Sequence, residues 1–246
     1  MPKPRRNYLP DTTQAAYPQN NFIPIIPSPC MSSDDATDAR KPLEGARRSL
    51  EEIRERLDRT HDSRERLIRG TRDVVILCSQ SIISVHGDDL KTARAKADQA
   101  AALLESYRKM APVSLTGHLV LPEQEMVEAL SLLALAEGRP VPSRTRLAVS
   151  DEAYVLGLLD CVGELKRMVY DMIRRGKTEE AGQTFAMMED IYNMLYPLAT
   201  YDKIIREARR KLDVNRALLE STRAAITEEI RRSALIDTMK GAGDGI

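Results

Sequence analysis

The sequence predicts an all-α protein of about six to seven helices, and three observations carry that prediction. Apolar residues recur at spacings of three and four over long stretches that end at Gly and Pro. No run alternates apolar and polar residues between hairpin turns, so no sheet is expected. With no Trp and only two Phe, packing falls to Leu, Ala, Ile, Met and Val; 30% of the residues are charged, and that composition suits helices. At 246 residues and 42% hydrophobic content the chain can build one substantial core.

Residues 1–40 hold much of the proline, with Asn, Gln, Ser and Asp and no helical periodicity, and read as a disordered or loosely docked tail. Asn21-Phe22-Ile23-Pro24-Ile25-Ile26-Pro27 is its one apolar patch, and Lys3-Pro4-Arg5-Arg6 has the composition of a nuclear address. Residues 41–235 form the helical domain, and 236–246 a flexible C-terminal tail.

The first helix is expected from Pro42 to about Val85. Its stripe runs through Leu43, Leu50, Ile53, Leu57, Leu67, Ile68, Val74, Val75, Cys78 and Ile82. Arg47, Arg48, Arg54, Arg56, Arg59, Arg64, Arg66, Arg69 and Arg72 lie opposite, interleaved with acids that can pair with them along the helix. His86-Gly87 ends it, and Asp88 or Asp89 caps an Ala-rich helix running to about Met110. Pro112 and Pro122 bracket a short segment, and Pro122 suits the first turn of a helix reaching Glu137. Gly138-Arg139-Pro140-Val141-Pro142-Ser143 is a break. A helix then runs from near Ser150 to near Gly176. The next is capped by Thr178, turns Phe185, Met188, Ile191 and Leu195 inward, and ends at Pro197. A last long helix is expected over 201–222, with a short helical piece from Thr227.

Formal net charge is zero, so no global field favours nucleic acid and any basic surface is local. Lys203, Arg206, Arg209, Arg210 and Lys211 form one such cluster. Cys30, Cys78 and Cys161 fit neither a disulfide nor a zinc framework, which points to a reduced intracellular compartment. No apolar run reaches membrane-spanning length.

The chemistry lies in two acidic pairs set in apolar helices. Asp160 and Glu164 stand four residues apart on one face, and Glu125 and Glu128 three apart on an earlier helix. An ionised carboxylate in such surroundings needs a divalent cation, a basic partner or a proton. Two such helices suggest a shared metal site with hard oxygen ligands, suited to Mg²⁺ or Mn²⁺. Lys166 and Arg167 follow Glu164 and either face phosphate or are solvated. His61, His86 and His118 share no motif with the acids and read as structural or exposed; Cys161 reads as a small buried hydrophobe. Glu123, beside the first pair, is expected to be dispensable for activity. A di-iron carboxylate site is disfavoured because neither acidic helix carries Glu-x-x-His.

Three segments carry a family resemblance. They are Tyr154-Val155-Leu156-Gly157 followed by Asp160-Cys161-Val162-Gly163-Glu164-Leu165, then Gln124-Glu125-Met126-Val127-Glu128-Ala129, and Arg59-Thr60-His61-Asp62-Ser63-Arg64-Glu65-Arg66-Leu67. Over roughly 45–230 the chain resembles the translin superfamily, and within it the translin-associated factor X (TRAX) branch. The resemblance implies a curved helical protomer, a hetero-octameric shell with translin, and an Mg²⁺-dependent endoribonuclease acting on single-stranded RNA. The implied substrates are passenger-strand fragments in RNA silencing and transfer-RNA precursor fragments, with cytoplasmic and nuclear location. The family's catalytic, metal-binding acids fall on Glu125, Glu128, Asp160 and Glu164, and their retention points to the catalytic branch. Two alternatives stay open. One is a non-catalytic translin-like subunit binding single-stranded RNA or DNA; the other is a scaffold whose shell matters more than chemistry.

Overall fold

The computed structural model describes residues 41–243, and every regular element among them is helical. The proline-rich tail, with the 21–27 patch, the basic cluster at 3–6 and Cys30, lies outside the described residues. The chain divides into a small N-terminal unit ending at Leu50 and a main unit from Glu51 onward; the packing below is that of the main unit.

Helix α1 spans Glu44–His86. Its buried residues begin only at Leu67 and continue through Val74, Cys78, Ile82 and Val85. The upstream part of the expected stripe is exposed: Leu43, Leu50, Ile53 and Leu57 all face solvent. Asp88 turns the chain in the left-handed region, and the Asp89 carboxylate accepts the Thr92 N–H at 2.9 Å to start α2, Leu90–Met110. Ala93, Ala97, Ala100 and Leu104 form the buried face of α2. The Ser81 hydroxyl of α1 donates to the Ala93 carbonyl of α2 at 2.8 Å.

A 3₁₀ segment, Val113–Leu119, leads into α3, Val120–Ala136, with Pro122 in its first turn as expected. Gly138, with φ of 65°, ends α3. The short α4, Arg144–Leu147, interrupts the loop to α5, Asp151–Arg174. Ser150 caps α5, its hydroxyl accepting the Ala153 N–H at 3.2 Å. Helix α6 spans Thr178–Leu195 and buries Phe185, Met188, Ile191 and Leu195 as expected, but Thr178 is its first helical residue, not its cap.

Helix α5 is the centre of the main unit. It packs against α3 and α6 and against the last helix, α7, Ala208–Gly243, while α2 lies on α3. Leu159, Val162, Leu165 and Val169 put α5 in the core. The end of the chain differs from expectation. Tyr196–Tyr201 is a 3₁₀ turn, and α7 then runs unbroken past residue 222 and past residue 235, the expected domain end. Thr222 and Thr227 do not punctuate it, because their hydroxyls donate back to the carbonyls of Leu218 at 2.7 Å and Arg223 at 2.8 Å. No Gly or Pro interrupts residues 208–240. Among the described residues no helix is long and apolar enough to cross a membrane.

Candidate functional site

The two acidic pairs meet where α5 rests on α3, and Gly157 sets that approach. A Cβ at Gly157 would lie 2.5 Å from the Gln124 carbonyl oxygen and 2.7 Å from the Val127 side chain. No other residue fits there without pushing the helices apart. One turn later Asp160 reaches α3, and its Oδ2 accepts a hydrogen bond from the Gln124 amide at 2.6 Å. Gly163, by contrast, faces open space.

Both acids of α5 are already engaged by donors from distant helices. Asp160 Oδ1 is paired with the Lys211 ammonium at the start of α7. Glu164 Oε2 lies 2.6 Å from His86 Nε2, at the last residue of α1, and 3.9 Å from an Arg167 guanidinium nitrogen. That hydrogen bond from His86 holds the Glu164 carboxyl below the usual carboxylate range. The His86 side chain is only 4% exposed. Its Nδ1 has no hydrogen-bond partner and lies 4.0 Å from an Asp171 oxygen.

The acids of α3 are in the opposite condition. Among the described residues neither Glu125 nor Glu128 has an ion-pair partner. Burial, then the charges of Asp160, Glu125 and Glu164, pushes Glu128 up to about 8, against the pull of Lys211. Burial and then Asp160 raise Glu125. Cys78 of α1 lies within this field: burial, then Glu125 and Glu128, pushes its thiol up to about 12. Cys161 is fully buried and its thiol is raised mainly by burial, as a small packed hydrophobe should be.

The four acids therefore act on one another electrostatically. Among the described residues, however, no three His, Cys, Asp or Glu side chains stand together as a ready metal cage. Two of the four are turned to Lys211, Gln124 and His86 instead. The donor set itself fits a hard divalent cation. It consists of carboxylate oxygens, and the crowding that lifts Glu128 is what such a cation relieves.

Four residues hold roles around the site that the sequence does not signal. His86, read as structural or exposed because it shares no motif with the acids, touches Glu164; 78 positions separate them, and no local pattern signals the contact. Lys211 turns inward while Lys203, Arg206, Arg209 and Arg210 stay exposed. Asn215, one turn beyond Lys211, donates to the Leu159 carbonyl at 2.8 Å and docks that face of α7 on α5. Glu123 has a structural place that its sequence neighbours do not reveal. It is 7% exposed, accepts from Arg108 Nε at 3.0 Å and from the Ser150 N–H at 3.0 Å, and ties α2, α3 and the start of α5 together.

Other expectations resolve more simply. Lys166 donates to the Ser221 hydroxyl at 3.0 Å, while Arg167 is exposed. His61 is exposed, and His118 lines an apolar groove of about 550 Å³ between α1 and the start of α3. Along α1, Arg54 pairs with Asp58 at 3.9 Å and Arg59 with Glu55 at 3.9 Å, so part of the arginine face is internally compensated.

Residues 114–221, which contain both acidic pairs and Lys211, match the Translin family. An uncharacterised protein of Methanocaldococcus jannaschii is 30% identical over 186 residues, covering 74% of this chain and 83% of that protein. Among solved structures, AfC3PO in complex with duplex RNA superposes with a TM-score of 0.69 at 28% identity, covering 75% of this chain and 97% of that one. AfC3PO in a separate crystal structure gives 0.68 at 29% identity, covering 75% and 98%. The α3–α5 contact that carries the acids thus lies inside the shared region, and the chain belongs to the translin family.

Proposed function

We propose that the chain is the catalytic, TRAX-like subunit of a translin-type assembly and cleaves single-stranded RNA with Mg²⁺ or Mn²⁺. The observation that carries this reading is the crowding of Glu125, Glu128, Asp160 and Glu164 at the α3–α5 contact, with Glu128 pushed up to about 8. A solved relative in complex with duplex RNA supports nucleic acid as the ligand class.

Glu125 and Glu128, which have no ion-pair partner among the described residues, are the readiest metal ligands, and Asp160 and Glu164 would complete the set. A divalent cation bound there would offset charge building on the scissile phosphate and supply an activated water. The chain's own residues do the rest. Gly157 brings the two helices to contact distance, and Gln124 and His86 orient Asp160 and Glu164. The exposed Lys203, Arg206 and Arg209 offer phosphate contacts, as do arginines of α1 such as Arg69 and Arg72. With few aromatics for base stacking, binding should fall with salt and show weak sequence preference. Exposed Ile53, Leu57, Ile76 and Ile83 on α1 and Ile230 and Leu235 on α7 supply apolar surface for a translin-type partner and further copies.

The second reading is a non-catalytic RNA-binding subunit, and the pairing of Asp160 with Lys211 favours it. Cleavage of single-stranded RNA by the chain co-expressed with translin, with Mg²⁺ and with a chelator, separates the two. Passenger-strand and transfer-RNA precursor fragments are the substrates to try. Magnesium-dependent cleavage that Asp160→Asn and Glu125→Gln abolish is the expected result; cleavage at an unchanged rate in those variants overturns the catalytic assignment.

A further inference from the structure

The catalytic reading leaves one charged contact unused, the ion pair between Lys211 and Asp160. The pair is only partly accessible, the Lys211 side chain 20% exposed and Asp160 24%. Gln124 occupies the second oxygen of Asp160, so protein donors fill both. The placement of Lys211 is built into the fold. Glu207, in the left-handed region at φ of 68°, turns the chain into α7 and is pinned by Arg210 at 2.9 Å. The Lys211 N–H then donates to the Glu207 carbonyl at 2.9 Å. One turn on, buried Asn215 bonds the carbonyl of Leu159, the residue next to Asp160. Lys211 and Asn215 thus share the face of α7 that grips α5 beside the acid.

We propose that Lys211 is a resident counter-ion: it holds Asp160 in the metal-free protein and must leave that carboxylate for a divalent cation to bind. A single ammonium pairs with Asp160 alone, whereas a divalent ion can take several carboxylate oxygens at once. The charge of Lys211 also reaches α3, where it opposes the upward shifts of Glu125 and Glu128. Lys211 is thus a positioning residue that sets how tightly the site takes its metal. The inference rests on the catalytic reading for the identity of the metal ligands, but its test needs no RNA.

Mn²⁺ binding to the full-length chain, measured by titration calorimetry or electron paramagnetic resonance, should tighten by about tenfold or more in Lys211→Met. Even part of the attraction between two unit charges in contact exceeds the tenfold step. Lys211→Arg, which keeps the charge, should stay within a few-fold of the parent. A merely structural ion pair predicts the opposite, unchanged or weaker Mn²⁺ binding in Lys211→Met. The unaltered protein provides a second measurement that no folding defect can confuse. Acetylation of Lys211, followed by mass spectrometry, should speed up several-fold on saturation with Mn²⁺, with exposed Lys203 as the unchanged reference. Lys211 remaining protected at saturating Mn²⁺ overturns the proposal while leaving the metal-dependent reading intact. Failure of the unaltered chain to bind Mn²⁺ at all overturns both.

Discussion

Two acidic pairs with nearly the same helical spacing meet different surroundings. On α5, Asp160 and Glu164 are met by Lys211, Gln124 and His86, side chains delivered by three other helices. On α3, Glu125 and Glu128 have no such partner among the described residues, and burial with neighbouring charge drives Glu128 towards its protonated form. Spacing along one helix does not decide the state of an acid; the helix packed opposite does. The α5 pair is a satisfied hydrogen-bonded unit, and the α3 pair is the one whose carboxylates are crowded by burial and like charge.

The largest effect should fall on both pairs alike. Under the catalytic reading, Glu128→Gln and Asp160→Asn each lower the cleavage rate by about a thousandfold, because each removes a carboxylate ligand from the cation that would neutralise the phosphate. RNA affinity, measured by fluorescence anisotropy, should change little. If only one pair matters for rate, the two do not form one site.

Glu123→Ala comes next and acts on stability. It takes the acceptor from Arg108 Nε and the Ser150 N–H, while Arg108 keeps the Leu147 carbonyl and Glu105, so the loss should cost about 1–3 kcal/mol, read as a lowered denaturant midpoint. An unchanged midpoint would show that Glu123 does not tie α3 to α5.

The contrast sharpens in the metal-free protein. Asp160→Asn leaves Lys211 without its charged partner and should destabilise by about 1–3 kcal/mol. Glu128→Gln should instead stabilise at alkaline pH. A carboxyl raised from 4.5 to about 8 stays protonated in the fold while the unfolded chain ionises. The unfolded state then binds fewer protons, so stability is full below 4.5, declines as pH rises and is lost through about 8. Thermal melts of the parent with a chelator should show that decline, and Glu128→Gln should flatten it. Equal destabilisation by both variants would break the contrast.

Gly157→Ala tests the distance between the pairs. Its Cβ meets backbone, which cannot swing aside, so overpacking should cost about 1–3 kcal/mol and weaken Mn²⁺ binding together with stability. The smallest effect belongs to the surface. Arg59→Ala removes an exposed pair and should change stability by less than about 1 kcal/mol, measured by chemical denaturation.

Much of this arrangement is legible in the sequence. Gly, Pro and capping residues mark the ends of α1, α2, α3 and α5 closely, because those signals act locally. Thr222 and Thr227 mislead because a threonine hydroxyl can satisfy itself inside a helix as well as cap one. The acidic pairs are legible as charge set in apolar helices, but their partners are not. Which of five clustered basic residues turns inward depends on how Asn215 docks α7. A histidine at the end of α1 meets an acid 78 residues away only once both helices pack. Glu123 looks like one acid among several until Arg108 and the Ser150 N–H are seen on it.

The position of Lys211 on the last helix has a consequence for the growing chain. As the protein is synthesised from its N-terminus, α3 and α5 emerge before α7, so the acids come together before their ammonium exists. A nascent or truncated chain ending short of residue 211 carries Asp160 against an apolar contact with no basic partner from α7. Chains cut before residue 211 should therefore be less stable than the full chain, and aggregate or be degraded more readily.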